Sequence, residues 1–372
     1  MPTKKKADTP HKSILTTPSK EFLKTYLNNP SPTGFESKGQ RLWLDYISPY
    51  IDEHIVDPYG TVAGIINPGA PFKVVIEAHA DEISWFVKYI SPEGLIYVTR
   101  NGGSDHQIAP SKRVNIHTSG GAVKAVFGWP AIHTRKRDGD GKETQPKIEN
   151  IFLDCGARSR EEVESLGVHV GCVITYEDGY EELAYDHIVC RALDNRIGGF
   201  MIAEVARMLR ENKKKLPYSL YVVNAVQEEV GLRGAEMMAR RIKPDVAIIT
   251  DVTHDSTTPM INKILEGDIA CGKGPVLSYA PAVHNLLLKM LREAADKNKI
   301  PYQLLAANRS TGTDTDAFAY AGEGTPSALI SLPLRYMHTT VEMISKRDME
   351  DTIRLIYHSL LKLTPETNLR YL

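Results

Sequence analysis

Ser219-Leu-Tyr-Val-Val-Asn-Ala-Val226 runs directly into Gln227-Glu228-Glu229-Val230-Gly231. The first part is an apolar, β-favouring run and predicts a buried strand. Two adjacent carboxylates just past such a strand are costly unless something cationic sits beside them. Three further strand-like runs also end in metal-ligating side chains. Val74-Val-Ile-Glu-Ala ends in His79-Ala-Asp81-Glu82, Val246-Ala-Ile-Ile-Thr ends in Asp251, and Ala328-Leu-Ile-Ser-Leu-Pro-Leu-Arg-Tyr-Met ends in His338. Ligands of open α/β sheets bind outside the carboxyl ends of the strands. Residues scattered along the chain can therefore converge there on one metal centre.

The rest of the chain supports that architecture. Asp194-Asn-Arg-Ile-Gly-Gly-Phe-Met-Ile-Ala-Glu-Val-Ala-Arg-Met-Leu209 reads as a strong helix, closed by Lys213, Lys214 and Lys215. Helical patterns also fall at about 232–241, 282–298 and 346–362. Strand–helix alternation of this kind implies an α/β fold, a mostly parallel sheet sandwiched by helices. From about 84 to 185 the texture changes to short β-like pieces separated by turns such as Asn101-Gly102-Gly103 and Ser119-Gly120-Gly121. One short helix is expected to start at Ser159, with Glu162 completing a capping box. The expected division is a disordered tail over 1–18, an α/β domain over 19–83 and 186–372, and an inserted small β-rich domain over 84–185. Order is expected to begin with a helix capped by Ser19, followed by the loop Asn29–Gly34 and a second helix at about 37–50. Arg137-Asp-Gly-Asp-Gly141 begins like a calcium loop but lacks the later ligand positions, so it reads as a solvated turn.

The 372 residues suffice for about two domains at about 150 residues each. A formal net charge of −1 gives no support for nucleic acid or an anionic membrane as main partner. Cys155, Cys172, Cys190 and Cys271 lie far apart with no Cys-x-x-Cys pattern, which fits a reduced cytoplasmic setting. No run approaches the roughly 18 apolar residues of a membrane span. Lys4, Lys5 and Lys6 precede no apolar stretch, so no secretory signal is expected.

Each candidate ligand also has an ordinary structural reading. His79 and Asp81, two apart at a strand end, form a pair in which Asp81 can hold one ring nitrogen and free the other for a metal. Asp194 reads as a helix N-cap or as a carboxylate bridging two ions. Glu228 and Glu229 point in different directions, so one can bind metal while the other faces substrate as a general base. Asp251 and His338 read as a cap and a surface histidine, or as ligands. Their shared placement raises all of them together. Histidine, aspartate and glutamate without cysteine suit zinc, cobalt or manganese in a catalytic site. Five ligands exceed what one catalytic zinc takes, so two divalent ions per subunit are expected. His254 and His133 are candidates for substrate proximity, each with a structural reading as well.

Several stretches together resemble the dinuclear metallo-aminopeptidases related to glutamyl aminopeptidase and the tetrahedral (TET) aminopeptidases, a group also labelled cellulase M. They are Ser31-Pro-Thr-Gly-Phe-Glu36, Ala78-His-Ala-Asp-Glu-Ile83, Ala192-Leu-Asp-Asn-Arg196, Gln227-Glu-Glu-Val-Gly-Leu-Arg-Gly-Ala235, Asp251-Val-Thr-His254, Gly312-Thr-Asp314 and Leu332-Pro-Leu-Arg-Tyr-Met-His-Thr339. The resemblance runs from about residue 20 to the C-terminus. It implies that Asp194 bridges the two ions, that His79 and Asp251 complete one site and that Glu229 and His338 complete the other. It further implies Glu228 as general base and Asp81 as the group that orients His79. It implies short peptides as substrate, the β-rich insert as a dimerisation module, and a homo-oligomer built to a dodecamer. Ser84-Trp85 and Thr311-Gly-Thr-Asp-Thr-Asp316 depart from the more glycine-rich family form, the first beside the metal site and the second where specificity is concerned.

Two other enzymatic readings use the same ligands, a carboxypeptidase or an amide deacylase. A glycanase needs an acid and a nucleophile or base flanking a sugar, whereas these carboxylates are better used by metals. A non-enzymatic reading is a self-assembling shell with metals as staples; its signature would be loss of Glu228 or a ligand.

Overall fold

The computed structural model describes residues 13–135 and 143–372. The expected tail therefore lies, over residues 1–12, outside the described residues, as does the Arg137–Gly141 turn. From Ser13 the chain is anchored: its hydroxyl donates to Glu350 at 2.6 Å and the Ile14 N–H donates to the same carboxylate at 3.0 Å. The first helix, Thr17–Asn28, is capped by Thr16 and not by Ser19. Proline at position 18 has the φ of a first helical turn and needs no hydrogen bond there, so the helix starts earlier than its polar pattern suggests. The second helix, Ser37–Ile47, tightens into a 3-10 turn at Ser48–Tyr50.

One eight-stranded sheet forms the frame. Across it the strands run Glu53–Val56, Val62–Ile66, Ser219–Ala225, Lys73–His79, Val246–His254, Ser327–Leu334, Val276–Tyr279 and Gln303–Ala306. The four central strands are mutually parallel, so their carboxyl ends share one edge. Val74, Val75, Ile76 and Ala78 are all buried, which is why this strand reads as a continuous apolar run without alternation. Even positions of Lys73–His79 meet the helix Leu193–Glu211. A Cβ at Gly198 of that helix would lie 2.8 Å from the Ala78 Cβ, so only glycine permits this approach. Glu77, on the opposite face, lies beside Asp314 of the helix Asp314–Ala319. Helices thus cover both faces.

The chain leaves this sheet after His79 and builds a closed six-stranded barrel between Ser84 and Tyr176. The barrel has its own apolar core around Trp85, Ile96, Ile116, Phe127, Leu153 and Ile174. Trp85 is fully buried there, edge-to-face with Phe127 at 5.6 Å, so it packs inside the barrel and not against the metal-ligand cluster. Ser159 caps the short helix Arg160–Ser165, accepting the Glu162 N–H, but the Glu162 carboxylate reaches back to the Arg158 N–H instead of closing the box at Ser159. The fold is an α/β domain of mostly parallel sheet carrying a β-rich insert. No helix among the described residues is long and apolar enough to cross a membrane.

Candidate metal centre

The parallel register brings the candidate ligands to one level. His79 ends its strand and pairs with Ala225, three residues before Glu228. Ile249 pairs with Glu77, so Asp251, two residues on, emerges on the same face as His79. Asp251 does not end its strand, as the sequence suggested. The strand continues to His254, because Val252 and Thr253 still pair with Leu332 and Pro333. His338 also lies beyond its strand, which stops at Leu334; a turn with left-handed Tyr336 and His338 carries the imidazole back over the sheet edge. Asp194 is not a cap. It sits in the first turn of Leu193–Glu211 with extended backbone angles and no capping bond.

His79, Asp194, Glu228, Glu229, Asp251 and His338 meet around one cavity of about 540 Å³. The two oxygens of Asp194 face different imidazoles: Oδ1 lies 3.2 Å from His79 Nε2 and Oδ2 lies 3.3 Å from His338 Nε2. His338 Nε2 is also 3.5 Å from Glu229 Oε2, and His79 Nε2 is 3.9 Å from Asp251 Oδ1 and 3.8 Å from Glu228 Oε2. Donor atoms of His79, Asp194 and Asp251, of Asp194, Glu229 and His338, and of His79, Glu228 and Glu229 lie, within each group, no more than 4.8 Å from one another. Tetrahedral zinc with bonds of about 2.0–2.1 Å sets its ligands roughly 3.3 Å apart, so the spacing suits such ions.

The electrostatics ask for cations. Burial works against ionising Asp194, yet the His338 and His79 imidazoles hold it well below the ordinary carboxylate range. Burial, together with neighbouring carboxylates, pushes Glu228 up to about 9 and drives Asp251 and Glu229 upward as well. Burial opposes charging His338, but Asp194 and Glu229 raise it to about 11. The upward shifts of Glu228, Glu229, Asp251 and His338 reflect crowded negative charge in a dry site, and divalent cations among these oxygens would reverse them while favouring the ionised form of Asp194 further. The donor set of imidazole nitrogens and carboxylate oxygens without sulfur fits a catalytic metal of the zinc, cobalt or manganese kind.

Asp81 is fully buried, and its Oδ1 lies 3.4 Å from His79 Nδ1. The same carboxylate accepts the Glu228 N–H at 3.0 Å, the Glu229 N–H at 3.2 Å and the Thr33 hydroxyl at 2.8 Å. Thr33 belongs to the Ser31–Glu36 loop, whose Glu36 is pushed up to about 8 by burial and then by Asp81. His254 lines the cavity, whereas His133 is exposed on the barrel and does not.

Three groups at the site carry no role in the sequence reading of the ligand cluster. Glu342 accepts the Asp194 N–H at 3.0 Å and the His338 N–H at 2.8 Å. It is held there by a separate three-stranded sheet in which it pairs with Cys190. Gly103, from the barrel, lies against the His338 ring, and its neighbour Gly102 against Glu229. Glu77 and Asp314 are buried side by side behind His79. Adjacency across long separations is not a sequence pattern; the sequence marks Asn101-Gly102-Gly103 only as a turn and Asp314 only within the Gly312-Thr-Asp314 stretch of the family resemblance.

The model of the family described as M42 glutamyl aminopeptidase matches residues 60–355. The lysyl aminopeptidase of Pyrococcus furiosus is 33% identical over 348 residues, covering 93% of this chain and 97% of that protein. The solved TET aminopeptidase of a marine sediment archaeon, Thaumarchaeota archaeon SCGC AB-539-E09, superposes with a TM-score of 0.88 at 31% identity, over 94% of this chain and 98% of the other. The TET1 peptidase of Pyrococcus horikoshii, described as assembling into a tetrahedron or a large octahedral shell, superposes with a TM-score of 0.80 at 26% identity, over 91% and 98% of the two chains. With that sheet, that insert and that ligand cluster, the chain belongs to the M42 glutamyl aminopeptidase family of metal-dependent aminopeptidases.

Proposed function

We propose that this aminopeptidase hydrolyses the first peptide bond of short peptides with two divalent cations, zinc or in its place cobalt or manganese. His79 and Asp251 hold one, Glu229 and His338 the other, and Asp194 is shared. The observation that carries this reading is the Asp194 carboxylate, whose two oxygens face two different imidazoles at 3.2 and 3.3 Å. When bound, the cations polarise the scissile carbonyl and make water acidic enough to attack near neutral pH.

The chain's own groups do the rest. Glu228 stands at the rim of the cluster, with its side chain only 11% exposed, and takes a proton from the attacking water and delivers it to the leaving amine. Asp81 fixes the orientation of His79 and, through two N–H bonds, the backbone that aims Glu228 and Glu229 in opposite roles. A free α-amine can meet the metal centre as a neutral donor whereas an acylated one cannot, which favours exopeptidase action over attack at a blocked terminus. We propose the expected division at 19–83 with 186–372 and 84–185, with the barrel as the dimerisation module of a dodecamer in the cytoplasm. The TET1 shells of the relative support the assembly.

Aminoacyl-p-nitroanilides and their N-acetylated counterparts, assayed with zinc, cobalt and manganese, test the reaction. Turnover of free-amine substrates that a chelator abolishes is expected. Equal activity on N-acetylated substrates would overturn the exopeptidase reading in favour of an amide deacylase.

A further inference from the structure

Beyond the ligand cluster the cavity continues past Leu232 and His254 to the segment Ser310–Thr313, with Asp316 in its wall. No lysine or arginine lines it among the described residues. We propose that this outer part receives the side chain of the substrate's N-terminal residue, and that Asp316 selects a cationic one, lysine or arginine, over an acidic one. The inference rests on the two-cation reading above.

Asp194, Glu228, Glu229 and Asp251 carry at most four negative charges, which two divalent cations offset. Asp316 is left over. Among the described residues it makes no ion pair; its oxygens accept the main-chain N–H of Thr311 at 3.0 Å and of Gly312 at 3.3 Å. Those bonds orient the carboxylate without neutralising it. Asp316 is only partly buried and borders the cavity, so its field reaches whatever occupies that space. An acidic side chain there would meet a like charge and no cation to receive it, and a cationic one would find its partner. This places selection in Thr311-Gly-Thr-Asp-Thr-Asp316, the stretch whose sequence departs from the glycine-rich family form.

The test uses the full-length, zinc-loaded protein with p-nitroanilides of lysine, arginine, leucine and glutamate. The expected order of kcat/KM is lysine and arginine, then leucine, then glutamate, with at least about tenfold between lysine and glutamate, shrinking as salt is added. Asp316→Asn keeps an oxygen to accept a loop N–H while removing the charge. It is expected to lower kcat/KM for lysine by roughly fivefold, mainly through KM, and to raise the glutamate-to-lysine ratio, the size expected for one partly exposed ion pair. A preference for glutamate in the unaltered protein would overturn the proposal. So would an Asp316→Asn variant that slows all four substrates in parallel, since that is the behaviour of a loop staple. Failure to turn over any of the four would sink the aminopeptidase reading itself; a wrong order among substrates that are turned over sinks only the specificity.

Discussion

Glu342 and His338 are joined through the main chain: one carboxylate oxygen of Glu342 accepts the His338 N–H at 2.8 Å, and the other accepts the Asp194 N–H at 3.0 Å. One buried side chain therefore sets the position of two proposed metal ligands that lie far apart in sequence. Glutamine at 342 can accept only one of these bonds and turns an amide N–H₂ toward the other donor. Glu342→Gln is expected to weaken metal binding by about 10–100-fold, the usual cost of losing such a support. Competition with a chromophoric chelator measures this directly. Unchanged affinity would mean that the two ligands hold their places without Glu342.

The barrel insert touches the metal-ligand cluster through two adjacent glycines, Gly102 against Glu229 and Gly103 against His338. A Cβ on Gly103 would lie 2.6 Å from His338 Nδ1 and 2.7 Å from its Cε1, closer than real contacts allow. The ring is the part that can move, so Gly103→Ala is expected to displace His338 and cut metal affinity at that site while the barrel stays folded. Zinc titration by calorimetry should resolve two sites in the parent protein and one weakened site in the variant. Two unaltered sites would sink this prediction.

Glu228→Gln removes the proposed proton carrier but keeps the shape of the side chain. Turnover should fall by roughly 10²–10⁴-fold, the usual contribution of a positioned acid–base group. Metal content by mass spectrometry should stay near that of the parent, because the two proposed sites are completed on Asp194 by His79 with Asp251 and by Glu229 with His338, although Glu228 also lies within ligand distance of His79 and Glu229. Loss of metal together with activity would instead make Glu228 a ligand.

Removing the cations should lower stability as well as activity. Buried carboxylates then face one another without a partner, and binding at 100 times Kd contributes about 2.7 kcal/mol. At roughly 2–4 °C per kcal/mol for a domain of this class, chelation should drop Tm by several degrees. Scanning calorimetry with and without chelator measures it. Asp194→Asn, lacking the shared charge, should show a smaller drop; an equal drop would remove Asp194 from the bridging position.

Much of this centre was legible because the parallel strands are continuous apolar runs, and their ends are where the polarity changes. His79 and the Glu228-Glu229 pair stand at those boundaries, so the pattern gave both the strands and the candidates. Asp251 is a candidate in the sequence although its strand end is misplaced there: Val252 and Thr253 pair onward, and no change in residue type marks the true end. The backbone of His338 was less readable, since a left-handed histidine has no signature comparable to glycine. Glu342 was invisible for a different reason. Its role lies in two main-chain bonds formed across separations of 148 and 4 residues, and such bonds require no particular sequence around it. The barrel was expected from its turns, but not that its Gly103 would form a wall of the metal-ligand cluster.

The loop that brings His338 back over the sheet is pinned by a second polar junction, and its response to pH follows from its partners. Asp255 is buried, and its oxygens accept the Thr257 N–H at 2.7 Å and hydroxyl at 2.5 Å, the Cys271 N–H at 2.9 Å and Arg335 Nε at 2.8 Å. Burial alone would raise this carboxyl, but the hydrogen bonds and the guanidinium hold it well below its ordinary range. A carboxylate whose folded value lies below the unfolded value of about 3.9 contributes stability that is fully present above about pH 4. That contribution is lost as pH falls through the folded value. Asp255→Asn should therefore destabilise the protein by roughly 1–3 kcal/mol at pH 7, discounted because Arg335 is partly exposed. The difference between parent and variant should stay constant from pH 8 to about pH 5 and shrink below about pH 4 as Asp255 itself takes up a proton. Urea unfolding of both proteins across that range, with chelator present throughout so that metal loss does not enter, gives the difference directly. A gap that is unchanged at pH 3 would mean that the junction stabilises through shape and hydrogen-bond number, and that the charge on Asp255 contributes nothing to holding the His338 turn.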